Sequence, residues 1–140
     1  MRTKLQARIA PPLAVLLLLL ATAAYALGFG QPQIGAVKGK VPIFTAKVVN
    51  FGTVIYNGSI DINPTLDRIR AGKKVNERND GGIFTNSEKL LPAKSDSQYY
   101  REFVHAPKGF PFPGPQRVLI GKAGEVYYTG DHYATAKKVN

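Results

Sequence analysis

The chain of 140 residues contains no cysteine. That excludes disulfides, thiolate metal ligands, a cysteine nucleophile and a lipid-modified Cys. A folded domain here is held by its core alone, which about a hundred residues can supply without covalent staples. Histidine is scarce: there are two, His105 and His132, so an imidazole acid or base has only two candidates. Acidic residues are also few, 9 Asp and Glu against 19 Lys and Arg, for a net charge of +10. Residues 1–26 hold Arg2, Lys4 and Arg8 and no acid, so the remainder keeps 16 Lys and Arg against 9 Asp and Glu, a net +7. A small domain this basic suits a polyanion or an anionic surface; the same charge also serves solubility.

What is present begins with a leader. Met1 to Arg8 is basic, Ile9 to Phe29 is uncharged around Leu13 to Leu20, and Ala21-x-Ala23 and Ala24-x-Ala26 both fit a small-residue cleavage site. Residues 1–26 read as a secretory signal peptide. The alternative is an uncleaved anchor to the inner membrane over residues 9–29, since the apolar run approaches the ~20 residues that span a bilayer. Either reading delivers the rest of the chain outside the cytoplasm, secreted or periplasmic. Gly28 to Pro42, rich in Gly, Pro and Gln, reads as a tether. Ile43 to Val49 carries a short apolar pattern that fits an extra edge strand. The expected division is leader 1–26, tether 27–50 and one domain over 51–140.

Within the domain, Thr53 to Tyr56 fits a short strand before the turn dipeptide Asn57-Gly58. A helix is expected next, with Asn63 as cap, Pro64 at its first position, Gly72 as its stop, and Leu66 and Ile69 on one face. Arg68 and Arg70 are expected in solvent. Tyr99 to His105 alternates as a strand, with Tyr100, Glu102 and Val104 on one face and Tyr99, Arg101, Phe103 and His105 on the other. Strands follow at Arg117–Ile120, Val126–Tyr128 and Tyr133–Val139, joined by tight turns. This order predicts an α+β fold, a short N-terminal helix packed on a small antiparallel β-sheet.

Three residue types then line up on successive strands or their ends: Glu102, Arg117 and His132. A carboxylate that removes a proton, an imidazole that donates one and a guanidinium that holds a phosphate make a device for phosphoryl chemistry. RNA supplies an internal nucleophile, its 2′-hydroxyl, and DNA does not. On residue types alone these are three common side chains, and a loop Glu88 or an off-motif His105 is an ordinary surface residue.

Four stretches carry a resemblance. They are Asn79-Asp-Gly-Gly-Ile-Phe-Thr-Asn-Ser-Glu-Lys-Leu-Leu-Pro92, Tyr99-Tyr-Arg-Glu-Phe-Val104, Gln116-Arg-Val-Leu-Ile-Gly121 and Tyr127-Tyr-Thr-Gly-Asp-His-Tyr-Ala-Thr135. In this order and spacing, over most of residues 53–139, the chain resembles the bacterial branch of the microbial guanyl-specific ribonucleases, the barnase and streptomycete type. The resemblance implies the microbial ribonuclease fold. It implies an endoribonuclease that cuts single-stranded RNA 3′ of guanosine through a 2′,3′-cyclic phosphate, with no cofactor and no metal. It assigns Glu102 as base, His132 as acid and Arg117 to the phosphate. It assigns Phe84, Thr85, Asn86 and Glu88 to the guanine-recognition loop, and Tyr133 to an aromatic beside the substrate. Single-stranded RNA is the expected partner, an acidic inhibitor protein a further one, and the expected state is a monomer. The chain departs from the pattern at Ser87, where the family often has Arg, and at Phe112 to Gln116, where many members carry a second active-site Arg; Lys108 or another basic residue is the expected substitute. A basic RNA-binding module that no longer cleaves, and an exported antibacterial toxin using the same chemistry, are the alternative readings.

Overall fold

The computed structural model describes residues 37–110 and 112–140. The leader, the alternative anchor and the first part of the tether lie outside the described residues. The order of elements is β1 (Phe44–Asn50), β2 (Thr53–Ile60), α1 (Asn63–Arg70), β3 (Gly82–Phe84), β4 (Tyr100–Val104), β5 (Arg117–Gly121), β6 (Val126–Thr129) and β7 (Lys137–Lys138). β1 and β2 form an antiparallel hairpin, and the rest form a five-stranded antiparallel sheet in the order β3-β4-β5-β6-β7. The expected α+β class, one short helix with an antiparallel sheet, is what folds.

The sheet separates two apolar clusters. On one face Phe103, Val118, Ile120, Val126 and Tyr128 pack against Leu66 and Ile69 of α1 and against Val48 and Ile60 of the hairpin. On the other, Phe84, Leu91, Tyr100, Leu119 and Tyr127 form a smaller cluster. All five residues of β5 are buried, as befits a central strand with cover on both faces. The 8-residue helix is too short to persist by itself. It is held by burying Leu66 and Ile69, at about 1.5–3 kcal/mol for each such side chain.

Several local expectations give way to tertiary contacts. The turn of the first hairpin falls at Phe51-Gly52, and Asn57-Gly58 lies inside β2, paired with Lys47 and Ala46. Gly58 serves there by having no Cβ: an added one would stand 2.7 Å from the Tyr56 hydroxyl, which folds back to donate to Ser59 O at 3.0 Å. The tether does not extend to residue 50. β1 pairs along its length with β2, Val41 and Val48 belong to the core, and the folded unit therefore begins before residue 51. Asn63 does not cap α1. Ile62 occupies the cap position without a side-chain bond, while the Asn63 amide takes both backbone groups of Val41, accepting from its N–H at 2.8 Å and donating to its C=O at 2.9 Å. That pair clips residue 41 to the helix start. Arg68 is not in solvent: it makes a two-pronged ion pair with Asp80, at 2.7 and 3.0 Å, and donates to Val104 O at 2.9 Å. Arg70, by contrast, is exposed and pairs with Asp67. The last strand shrinks to Lys137–Lys138, because residues 131–135 form the loop described below.

Candidate active site

β4 supplies the centre of the site. Glu102 pairs with Gly82 of β3 and Leu119 of β5, on the face shared with Tyr100 and Val104, as alternation requires. It is 9% exposed. Burial is the largest influence on its carboxyl group and raises its pKa above the ordinary carboxylate value. A hydrogen bond from the Tyr133 hydroxyl to Oε2 and the charge of Arg117 work against that, while Glu88 adds to the rise. Glu102, Arg117, Tyr133 and Glu88 thus share one electrostatic neighbourhood.

Arg117 opens β5, opposite Val104 on one side and Thr129 on the other. It is 7% exposed. Its Nη1 donates to three carbonyls, Gly114 and Gln116 at 2.8 Å and Pro113 at 3.4 Å. Its buried Nε has no partner among the described residues. A buried N–H without an acceptor is costly, and here it belongs to a guanidinium already fixed by backbone. Such a group is preset to receive an anion through its remaining donors.

The His132 loop follows β6. His132 and Tyr133 both have positive φ, 53° and 67°, a conformation that is strained for residues with a side chain and persists where surroundings over-determine it. Asp131 does this. Its Oδ1 accepts from the Thr129 hydroxyl and the Thr135 amide, each at 2.9 Å, and its Oδ2 accepts from the Thr135 hydroxyl at 2.6 Å. Burial pushes its pKa up, but the bonds from Thr135, Thr129 and Ala134 outweigh this and hold it below the ordinary value. The Tyr133 amide donates to Thr129 Oγ1 at 3.1 Å. His132 is exposed, with its amide on Pro115 O at 3.3 Å and its Nε2 3.3 Å from Asn50 Oδ1.

Tyr133 joins the two halves. Its ring stacks on Phe84, centroids 5.5 Å apart and planes 21° apart, while its hydroxyl rests on Glu102. The loop after Phe84 is shaped by Asn86, at φ 58°. The Asn86 side-chain amide both accepts from and donates to the backbone of Leu91, at 2.8 Å each way. The Asn86 side chain is therefore occupied within its own loop. Thr85 and Glu88 are exposed, and among the described residues Glu88 accepts only from the Ser87 hydroxyl, at 3.1 Å. Among the described residues, the amides of Asn86, Ser87 and Glu88 have no protein acceptor.

Lys108 lines a cavity of about 340 Å³ with Asp61, Thr65, Arg68 and His105. His105 is not a surface residue: it is 3% exposed, hydrogen-bonded through Nδ1 to Thr65 Oγ1 at 2.8 Å, and burial pushes its pKa down to about 4. Other residues that shape the site were not singled out from sequence: Asp131 as the brace of the His132 loop, and Asn50 and Phe51 from the hairpin. For Asp131 the signal was available, an acid with Thr two before and four after it. For Asn50 and Phe51 there was none.

A buried carboxylate and a backbone-anchored guanidinium on one antiparallel sheet, with an exposed imidazole on the loop after β6, fit a class, acid–base enzymes acting on phosphate esters. Residues 59–140 match the family model described as ribonuclease, and the chain belongs to that ribonuclease family. It is 38% identical over 97 residues to guanyl-specific ribonuclease Sa3 of Kitasatospora aureofaciens, covering 68% of each chain. It is 40% identical over 72 residues to guanyl-specific ribonuclease Sa of the same organism, covering 51% of this chain and 74% of that one. A solved structure of ribonuclease Sa2 in complexes with mononucleotides matches with a TM-score of 0.50 at 36% identity, covering 56% of this chain and 80% of that one.

Proposed function

We propose that this chain is an endoribonuclease that cleaves single-stranded RNA on the 3′ side of guanosine. The observation that carries the reading is the pairing of Glu102, buried with its pKa raised, with Arg117, whose guanidinium is anchored while Nε lacks a partner. A carboxylate moved toward neutrality is a better base at physiological pH. Glu102 removes the proton of the 2′-hydroxyl, and the 2′-oxygen attacks the adjacent phosphorus. Arg117 holds the phosphoryl oxygens, whose charge is redistributed in the transition state. His132 protonates the 5′-oxygen as the P–O5′ bond breaks. The 2′,3′-cyclic phosphate is then opened by water with the acid and base roles exchanged. The Tyr133 hydroxyl donates to Oε2 alone, so Oε1 keeps its lone pairs for the 2′-hydroxyl proton.

Guanine selection falls to the loop after β3. The exposed Glu88 carboxylate accepts from the N1–H and 2-amino group of guanine, and the free amides of residues 86–88 donate to O6 and N7. Adenine carries an acceptor at N1 and meets the carboxylate lone pair to lone pair. A splayed, single-stranded base is the form that such a loop can read. The leader sequence supports a site of action outside the cytoplasm, tested by fractionation and sequencing of the mature N-terminus.

The test is digestion of a defined RNA by the mature domain in EDTA with mapped ends. The reading expects cuts after G with cyclic phosphate termini. Cleavage that EDTA abolishes, or ends distributed over all four bases, defeats it.

A further inference from the structure

The β1–β2 hairpin brings to the site an aromatic side chain that neither the proton transfers nor guanine recognition uses. Its two-residue tip, Phe51-Gly52, has φ of 48° and 78°. Positive φ at both central residues of a hairpin turn favours Asn, Asp or Gly, and a bulky side chain at the first is an outlier. The side chain placed there is also 94% exposed. Neither backbone preference nor core packing accounts for a phenylalanine at this position. What the ring does have is a neighbour: the His132 imidazole, with centroids 6.1 Å apart and planes at 38°.

The tip is held beside that histidine. The Val49 amide donates to Gly130 O at 2.8 Å, Val48 is fully buried, and a Cβ on Gly130 would stand 2.5 Å from Lys47 O. Gly130 therefore lets the hairpin close against the loop that carries the acid. An aromatic face carried by an anchored hairpin beside the group that protonates the leaving oxygen is placed for the nucleoside that leaves. That nucleoside starts at the 5′-oxygen within hydrogen-bond reach of His132, and its base lies one sugar further out.

We propose that Phe51 is the stacking platform for the base on the leaving side of the scissile phosphate. This subsite rests on the ribonuclease reading given above and deepens it. A phenyl face has no hydrogen-bond donor or acceptor to read a base edge, so the subsite tolerates any base and favours the larger face of a purine.

The experiment compares wild type, Phe51→Asn and Phe51→Trp on GpA, GpC, a guanylyl dinucleotide whose leaving nucleoside is abasic, and guanosine 2′,3′-cyclic phosphate. Asn suits the positive φ of the turn and keeps the hairpin while removing the ring. The cyclic phosphate has no leaving nucleoside. In Phe51→Asn the ratio of kcat/KM on GpA to that on the cyclic phosphate is expected to fall about tenfold, within the range for loss of one base–aromatic stack. The fall is smaller for GpC and absent for the abasic substrate, and Phe51→Trp restores the ratio. A ratio that stays put, or an equal loss on the abasic substrate, overturns the subsite while leaving the ribonuclease reading intact. A wild-type protein that acts on neither GpA nor the cyclic phosphate overturns both.

Discussion

Replacing Asp80 by Asn isolates the interaction that ties the helix to β4. The Asp80 side chain is 1% exposed. Oδ2 accepts from Arg68 Nη1 at 2.7 Å and from the Val75 amide at 3.1 Å. Oδ1 accepts from Arg68 Nη2 at 3.0 Å and from the Val104 amide at 2.9 Å. Val104 is two residues from Glu102 on β4, so this carboxylate holds the strand that carries Glu102. An Asn amide has one acceptor oxygen. Whichever way it turns, its NH₂ group faces one Arg68 N–H and one backbone N–H, so two donors lose their acceptor. Arg68, 18% exposed, also loses its countercharge. Orphaned buried donors cost ~1–3 kcal/mol each, and removing one partner of a buried ion pair costs ~3–5 kcal/mol. These describe the same loss, so the expected destabilisation at pH 7 is about 3–5 kcal/mol, a large share of the ~5–15 kcal/mol that holds a domain folded. Urea unfolding followed by tyrosine fluorescence measures it; the chain has seven Tyr and no Trp. The pH dependence gives an independent check. Burial raises the pKa of Asp80, but the Arg68, Val104 and Val75 hydrogen bonds and the Arg68 charge outweigh it and lower the value. A lowered folded pKa contributes stability that is present above the unfolded value, ~3.9, and is lost as pH falls through the folded value. The gap between wild type and variant therefore narrows in acid. A loss below ~0.5 kcal/mol at pH 7, the size of a change at an unremarkable surface site, or a gap that does not narrow, refutes the reasoning.

Glu102→Gln should lower the rate of RNA cleavage by roughly two to four orders of magnitude yet raise Tm at neutral pH. The raised pKa of Glu102 means that ionisation costs stability as pH rises through the folded value; calorimetry should find the variant's advantage at pH 7 and none in acid, and near-normal turnover would end the mechanism. Tyr133→Phe removes a hydrogen bond that lowers the pKa of Glu102, so the acidic limb of the kcat/KM profile should move to higher pH; a shift to lower pH would show that Glu102 is not the group titrating there. Glu88→Ala should collapse the preference for guanylyl over adenylyl dinucleotides, with a loss on guanylyl substrates of several kcal/mol at most and little change on non-guanylyl ones; an undiminished preference would place guanine recognition elsewhere.

The fold and the site were unequally visible before the structure. Strand alternation in residues 99–105 put Glu102 on one face and Phe103 with His105 on the other, and the sheet keeps that division. The same alternation carried the burial of His105, since a residue that shares a face with Phe103 packs on the helix side; the expectation of a surface histidine ignored it. Pro64 and the spacing of Leu66 and Ile69 located α1, whereas Asn63, a good cap by composition, is drawn off by Val41, distant in sequence.

What the sequence determined by itself is local in origin: the alternation that puts Glu102 on one strand face and Phe103 on the other, the strands and tight turns of an antiparallel sheet, the helix face, and the four ordered motifs that carry the family. Each depends on steric and solvation preferences acting within a few residues, or on a pattern of side chains along the chain. Tertiary structure alone decided the rest. It clipped Val41 to Asn63, drew Arg68 out of solvent to Asp80, turned the hairpin at Phe51-Gly52, and set Phe51 and Asn50 beside His132, 82 positions from Asn50. Those outcomes turn on which buried donors find acceptors and which backbones can approach Gly130, and such contacts exist only once distant segments have closed on one another.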